Sequence, residues 1–240
     1  MMRILAIDTS FGLGSVAAAD PGGTDEMPLG TAGEHARLLP GALAAVAAKR
    51  GWGLESDVLN RLGDGDVLAV IRGPGSFTGL RVGVTTAKAL AWASGVRLVG
   101  VSGFEAIARR TARFLGERRP TAIAYDAGRG EVYAAVAIPS EDVLSGWIYE
   151  PAALRPAGDW IESLVAGMVV SGPAITSLQS MLEAKGGLLV APDEARGPAA
   201  AEAADIAASC AAAGITDDPH ELLPEYLRPS YAEENRRPGA

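Results

Sequence analysis

The alternation of apolar and polar positions divides the chain into short strands and longer helices. Its centre is an apolar run at 67–71, which predicts a buried strand. A glycine-rich loop follows at 73–79, and then a helical pattern from about Leu80 to Ala93. A strand, a glycine loop and a helix in this order present backbone N–H groups at a helix N-terminus, where they can bind an anion. The unit is typical of an α/β fold.

The pattern at the start of the chain recurs about half a chain later. A strand ends in Asp8 and is followed by a glycine turn and a returning strand; a second strand ends in Asp126 and is followed by the same features. Chance similarity of two hairpins is the alternative, but a repeat predicts two similar α/β lobes. The predicted division is an N-terminal lobe at 1–118, a C-terminal lobe at 119–216 and a tail at 217–240.

Small residues recur every fourth position along the central helix. Gly79, Gly83, Ala87 and Ala91 therefore lie on one face. Glycine inside a helix costs roughly 1 kcal/mol relative to alanine, and close approach of another backbone is the usual compensation. Two interpretations remain open, namely packing against the chain's own sheet and a subunit interface. The second predicts a docking helix.

Composition narrows the class of protein. The chain has 240 residues and a net charge of -8, which argues against binding nucleic acid through bulk electrostatics. Its single cysteine, Cys210, allows no internal disulfide and fits a reducing compartment. The apolar N-terminal run meets Asp8 too early for a signal sequence, and no stretch reaches the ~18 apolar residues of a membrane span. We expect a soluble, cytoplasmic protein without a membrane partner.

Four residues near the two predicted strand ends are candidate contacts to a nucleotide or phosphate. They are Asp8, Ser10, Gly75 and Ser76. An aspartate at the carboxyl end of a strand can hold Mg²⁺ or orient a turn, and the serines are also common turn and capping residues. The loop lacks the lysine of a P-loop after Gly79, so the motif alone does not define a nucleotide site.

Other familiar chemistries find little support. His35 and His220 are the only histidines, and with one cysteine they do not provide a zinc site. No GxSxG elbow occurs. A peptidase would need Ser76 to be reached by one of the two histidines, and we interpret this serine as a helix cap instead. No metal site is predicted.

Motifs along nearly the whole chain resemble the bacterial TsaB family. They are RILAIDTS at 3–10, Glu34-His35, GPGSFTGLRVG at 73–83, Glu131-Val132-Tyr133 and Tyr226-Leu227-Arg228. The glycine-loop motif is highly specific to that family. The resemblance implies an α/β fold with two ribonuclease-H-like lobes, of the actin, sugar-kinase and Hsp70 (ASKHA) superfamily. This agrees with the half-chain repeat.

The resemblance also implies a function. TsaB works with a paralogue, TsaD, and a small ATPase, TsaE, in the complex that transfers threonylcarbamoyl to N6 of the tRNA adenosine 3′ of the anticodon. Gly103 and Ile107 stand where TsaD has its two metal-binding histidines. The implied protein is a non-catalytic scaffold without a cofactor of its own. ATP or ADP would be bound only within the complex, and tRNA only through it.

The implied interface is a helical bundle formed with TsaD, or with a second copy when the chain is alone. The resemblance and the small-residue stripe place on it His35, Leu38, Ala42, Leu43, Gly79, Gly83 and Ala87. The alternative function is a stand-alone ATP-binding enzyme of the ASKHA superfamily, which would use Asp8 with Mg²⁺. Magnesium-dependent binding of ATP to the isolated chain would favour that alternative.

Overall fold

Two β-sheets with helices on their faces form the protein. The structure is a computed structural model that describes residues 2–53, 62–63, 65–144 and 146–228. Residues 54–61 and 64, and residues 229–240 of the predicted tail, lie outside the described residues.

The first sheet has the strand order β3-β2-β1-β4-β5. Its first three strands are antiparallel, whereas β4 and β5 run parallel to β1. Hydrophobic residues fill β1 and β4 on both faces, as expected of central strands covered by helices on each side. The strands are β1 (Ile4–Asp8), β2 (Ser15–Asp20), β3 (Gly23–Pro28), β4 (Val67–Gly73) and β5 (Arg97–Ser102).

The second sheet repeats this arrangement. Its order is β11-β10-β6-β7-β8, with β9 paired to β7, so its central strand again has an antiparallel neighbour on one side and a parallel one on the other. The strands are β6 (Thr121–Gly128), β7 (Glu131–Pro139), β8 (Trp147–Tyr149), β9 (Ala153–Pro156), β10 (Val169–Ser171) and β11 (Leu189–Val190). The repeat predicted from Asp8 and Asp126 is confirmed.

Helices cover the sheet faces and cross between them. The central helix begins at Phe77, where Ser76 caps it, and ends at Gly95 in a left-handed conformation. Among the described residues, no helix is both long and apolar enough to cross a lipid bilayer. The helices are α1 (His35–Lys49), α2 (Phe77–Ser94), α3 (Gly103–Leu115), α4 (Ala157–Ser163), α5 (Ile175–Lys185), α6 (Asp193–Arg196) and α7 (Ala200–Ala212).

Alternate residues of β1 point into two different cores. Leu5 and Ile7 pack with α1 and α2 on one face, whereas Ile4 and Ala6 pack with α3 and α7 on the other. A third cluster joins the outer face of the second sheet to α4 and α5. The cluster around Ile4 also contains Tyr125 of β6, so it is the core that joins the two lobes.

Two details differ from the expectation. Helix α7 belongs to the predicted C-terminal lobe by sequence, but it packs against β1, β2, β4 and β5 of the first sheet. Strand β3 was not predicted because its residues, GTDEMP, are mostly polar and form the edge of the sheet. Strand β6 begins at Thr121, and the division of the chain into lobes at residue 119 stays a prediction.

Candidate functional site

The carboxylate of Asp8 is buried at the carboxyl end of β1. It is 4% exposed. One oxygen accepts hydrogen bonds from the backbone N–H and the hydroxyl of Ser10, at 2.9 and 2.6 Å. The other accepts from the backbone N–H of Ala199 at 2.9 Å. Burial raises the pKa of Asp8, while these hydrogen bonds act in the opposite direction.

The partner at Ala199 is the start of α7. The next N–H groups of that helix also bind side chains of the first lobe, with Ala200 N donating to Ser15 Oγ at 3.2 Å and Ala201 N to Glu26 Oε1 at 3.3 Å. The first N–H groups of a helix have no partner within it and attract negative charge. Here the carboxylates of Asp8 and Glu26 and the hydroxyl of Ser15 satisfy them. The start of helix α7 therefore covers the side chains of Asp8 and Ser15 on the first sheet.

The four candidate phosphate contacts lie close together, but they bind one another. Ser76 N donates to the carbonyl of Ser10 at 2.7 Å, and Ser76 Oγ accepts from Gly79 N at 3.3 Å as the cap of α2. A Cβ at Gly75 would overlap the Ser10 carbonyl. This contact is a close junction between the hairpin and the glycine loop, and it leaves Ser76 as a capping residue.

A group of charged side chains joins Glu26 of the first sheet to α3 and α7. Arg110 of α3 lies 3.1 Å from Glu26 and 2.9 Å from Glu202 of α7. Glu202 is 2% exposed and also pairs with Arg113 at 2.5 Å. Burial raises the pKa of Glu202, and the two arginines oppose that shift. The charges hold α7 against the first lobe and against α3.

The positions implied for metal ligands are filled by hydrophobic packing and a tyrosine. A Cβ at Gly103 would lie 2.6 Å from the Tyr125 hydroxyl oxygen and 3.1 Å from the Gly73 carbonyl. Ile107 is fully buried in the core between the lobes. Within the described part of the chain, no three side chains of the His, Cys, Asp and Glu types are arranged to hold a metal ion.

The small-residue stripe of α2 faces the chain's own sheet, so the prediction that it forms a subunit interface is wrong. A Cβ at Gly79 would overlap the Thr9 carbonyl, and one at Gly83 would overlap the Thr9 hydroxyl. Thr9 Oγ1 also donates to the Gly79 carbonyl at 2.7 Å. Ala87 is fully buried in the same core. The partner that requires these small residues is the end of β1.

Two of the predicted interface residues of α1 are likewise internal. His35 is 1% exposed, and its Nε2 lies 3.0 Å from the Gly30 carbonyl. Leu43 is fully buried between α1 and the sheet. Leu38 and Ala42 are partly exposed, so they remain available to a partner. Of the seven residues, His35, Leu43, Gly79, Gly83 and Ala87 instead shape the packing beneath the two helices.

The outward sides of α1 and α2 form a largely apolar surface. Trp92 is 74% exposed, and Ala89 and Ala93 beside it are also exposed. Sequence reasoning missed Trp92, although Ala89, Trp92 and Ala93 recur at helical spacing on the side away from the glycines. We call this surface the α1/α2 outer face; its residues are Leu38, Ala42, Val82, Thr86, Ala89, Leu90, Trp92 and Ala93.

The paired sheets, joined through one core, define a two-lobed α/β protein of the ASKHA superfamily. Residues 27–217 match the family model described as TsaD, tRNA N6-adenosine threonylcarbamoyltransferase. A structure from Pseudomonas aeruginosa, titled as an uncharacterized protein with similarity to peptidase YEAZ, is 25% identical with a TM-score of 0.75. The match covers 95% of this chain and 100% of that one.

Two curated relatives carry the same name, tRNA threonylcarbamoyladenosine biosynthesis protein TsaB. The Escherichia coli (strain K12) protein is 32% identical over 237 residues, covering 96% of each chain. The Bacillus subtilis (strain 168) protein is 31% identical over 173 residues, covering 69% of this chain and 71% of that one. The chain belongs to the TsaB family.

Proposed function

We propose that the chain is a non-catalytic scaffold subunit in tRNA threonylcarbamoyladenosine biosynthesis. Its reaction partner would be a TsaD-like paralogue that transfers threonylcarbamoyl to N6 of the tRNA adenosine 3′ of the anticodon. The relatives named for this pathway span almost the whole chain. The observation that carries the non-catalytic role is the Asp8 carboxylate, which is occupied by the start of α7 rather than left open to a ligand.

The α1/α2 outer face is the surface proposed for docking. It contains the exposed Trp92, with Ala89 and Lys88 one turn before it on α2, and large aromatic side chains contribute disproportionately to interfaces. Leu38 and Ala42 extend it onto α1. The buried residues beneath, including His35, Gly79 and Gly83, fix the two helices on the sheet. When the paralogue is absent, the same face would pair with a second copy of this chain.

The remaining partners follow from the same proposal. A TsaE-like ATPase and tRNA would join through the complex, and ATP or ADP would bind in the partners' sites. The net charge of -8 supports indirect contact with tRNA, because a strongly acidic surface repels a polyphosphate backbone. A role in tRNA modification implies a cytoplasmic location, which agrees with the single cysteine.

Substitution of the exposed tryptophan tests the proposal. Trp92→Glu should weaken binding to the TsaD-like partner at least ~30-fold, since burying an unpaired charge at a central aromatic position typically costs about 2 kcal/mol or more. Transfer of threonylcarbamoyl in the reconstituted system should fall with it. The control is Val165→Glu, which introduces the same charge at a 64% exposed apolar position of the second lobe. Wild-type binding and modification by Trp92→Glu would refute the docking face.

The alternative, a stand-alone ATP-binding enzyme, is not supported by the comparisons with relatives. Both carboxylate oxygens of Asp8 already accept hydrogen bonds, one from Ser10 and the other from Ala199. Calorimetry of the isolated chain with MgATP should therefore detect no binding that depends on Asp8. Magnesium-dependent binding that Asp8→Asn abolishes would favour the enzyme instead.

A further inference from the structure

The chain continues beyond α7 along the edge of the first sheet. Asp217 N donates to the carbonyl of Leu98 at 2.8 Å, and Gly100 N donates to Asp217 Oδ2 at 2.8 Å. Strand β5 is the edge of its sheet, and an uncovered edge presents unpaired backbone groups. The segment therefore begins by covering the outer side of β5.

Leu222 anchors the segment between β5 and α2. Its side chain is 4% exposed and belongs to the core beneath α1 and α2. A Cβ at Gly100 would lie 2.6 Å from Leu222 Cδ1, so the glycine provides the space that Leu222 fills. Lys88 of α2 donates to the Leu222 carbonyl at 2.9 Å. Leu222 therefore attaches the segment to α2.

The segment next crosses the glycine loop. Glu225 N donates to the Arg72 carbonyl at 2.7 Å. A Cβ at Gly73 would lie 2.6 Å from the Glu225 carbonyl oxygen, so the two backbones touch at the end of β4. This contact places the segment directly over the start of α2.

A stacked group of three side chains fixes the segment to the first turn of α2. The Phe77 and Tyr226 ring centroids are 5.0 Å apart. The Arg81 guanidinium carbon lies 3.7 Å from the Phe77 centroid, and its Nε donates to Tyr226 Oη at 3.0 Å. Guanidinium–aromatic stacking of this kind is favourable even when it is partly exposed.

The segment ends on the second lobe. Arg228 pairs with Glu131 at the start of β7, and both side chains are partly buried. Leu227, next to it, packs against the core that joins the two lobes. Between Asp217 and Arg228 the chain thus contacts β5, α2 and the glycine loop of one lobe and β7 of the other.

We propose that residues 217–228 are an interlobe strap that holds the two lobes and α2 as one rigid unit. Ligand-binding clefts between lobes usually close when a ligand bridges them. In this chain the strap supplies an internal bridge, from Arg72 at the glycine loop of one lobe to Glu131 of the other. The strap is a property of the isolated chain and does not depend on the proposed docking partner.

Truncation tests the strap against a matched control. One variant ends after Ile215 and lacks the strap, and the control ends after Arg228 and retains it. Hydrogen exchange measured by mass spectrometry should be at least ~10-fold faster in two regions of the first variant, the opening turn of α2 and the β6–β7 hairpin around Glu131. The control should match the full chain. Faster exchange confined to the uncovered β5 amides would overturn the proposal.

A charge exchange keeps the test valid if the truncated chain fails to fold. Arg228→Glu sets two carboxylates against each other at Glu131, so the hairpin should exchange at least ~3-fold faster while the β5 amides stay unchanged. The double variant Arg228→Glu, Glu131→Arg restores opposite charges and should return exchange to the wild-type rate. No effect of the single variant, or no recovery in the double variant, would show that the strap does not restrain the second lobe.

Discussion

The Asp8 carboxylate and the Ala199 backbone N–H are joined by a 2.9 Å hydrogen bond across 191 residues of sequence. The bond links the first strand of the chain to its last helix. The positive end of α7 favours the charged carboxylate, but burial outweighs this effect and raises the pKa of Asp8. Asp8, which the sequence marks as a candidate ligand contact, instead accepts a hydrogen bond from the backbone N–H at the start of α7.

Replacing Asp8 should expose this role in its dependence on pH. Burial raises the pKa of Asp8, so the folded chain binds a proton where the unfolded chain does not. The contribution is then fully present below the ordinary aspartate pKa and is lost as the pH rises through the raised folded value. The amide introduced by Asp8→Asn cannot titrate, and its NH₂ group cannot accept a hydrogen bond where a carboxylate oxygen did, which costs about 1–3 kcal/mol. The deficit of Asp8→Asn should therefore be larger near pH 4 than at pH 7.

Urea unfolding across this pH range measures the effect. The matched control is Asp126→Asn at the corresponding strand end of the second lobe, where the exposed carboxylate accepts from Gly128 N at 2.7 Å. We expect little change in the control. A deficit that grows with pH, or equal losses in both variants, would contradict the assigned role of Asp8.

Adding a methyl group to α2 should distinguish internal packing from an interface. Gly83→Ala places a Cβ on the Thr9 hydroxyl, and overpacking of this kind typically costs about 1–3 kcal/mol. Gly41→Ala is the matched control, because Gly41 lies in α1 with nothing within 4 Å of the added atom. It should gain up to ~1 kcal/mol from helix propensity. Urea unfolding of the monomeric chain measures both, and an unchanged Gly83→Ala would restore the interface interpretation.

The fold was predictable because the same local pattern of apolar and polar residues occurs at the start of each lobe. Apolar strands ending in Asp8 and Asp126, each followed by a glycine turn, mark the central strand of each sheet. Strand β3 escaped because one polar edge strand carries too few apolar residues to show a period. The placement of α7 escaped because periodicity indicates that a helix has an apolar face and does not indicate which sheet that face covers.

The candidate site was predictable only in part, for the same reason. The spacing of Gly79 and Gly83 indicates a close neighbour, but it does not distinguish a second molecule from Thr9, whose carbonyl lies against Gly79 and whose hydroxyl lies against Gly83. Only tertiary contacts decide between them. The exposure of Trp92 was not predicted, because a single tryptophan in a helical pattern does not indicate an exposed surface until the buried face of the helix is known.

Tyr125 should be the group that excludes a side chain at Gly103. A Cβ there would lie 2.6 Å from Tyr125 Oη, so Gly103→Ala should destabilise the chain by roughly 1–3 kcal/mol. Removing the hydroxyl with Tyr125→Phe should relieve part of that cost, because the 2.6 Å approach would disappear while the 3.1 Å approach to the Gly73 carbonyl and the 3.2 Å approach to the ring carbon Cζ would remain. A double-mutant cycle from urea unfolding measures the coupling. Additive effects of the two substitutions would show that Tyr125 is not the obstacle.

Arg110 should be required chiefly to neutralise Glu202. Glu202 is 2% exposed, and Arg110→Leu leaves it with Arg113 alone, which should cost roughly 3 kcal/mol at pH 7. Losing this cation raises the pKa of Glu202 beyond the increase that burial already causes. The folded variant then takes up a proton at a higher pH than the unfolded chain, so its deficit should shrink as the pH falls from 7 toward 4.

The double variant Arg110→Leu, Glu202→Leu removes both charges and should recover most of the stability, because a buried ion pair can be replaced by apolar residues at little net cost. Arg37→Leu is the control, since Arg37 pairs with Glu34 on the exposed surface of the first turn of α1; we expect little change from it. Urea unfolding at several pH values measures all three variants. If the single variant loses as little as the control, or the double variant recovers nothing, Arg110 does not hold α7 in place through Glu202. The position of α7 would then depend on the hydrogen bonds from its first backbone N–H groups to the side chains of Asp8, Ser15 and Glu26.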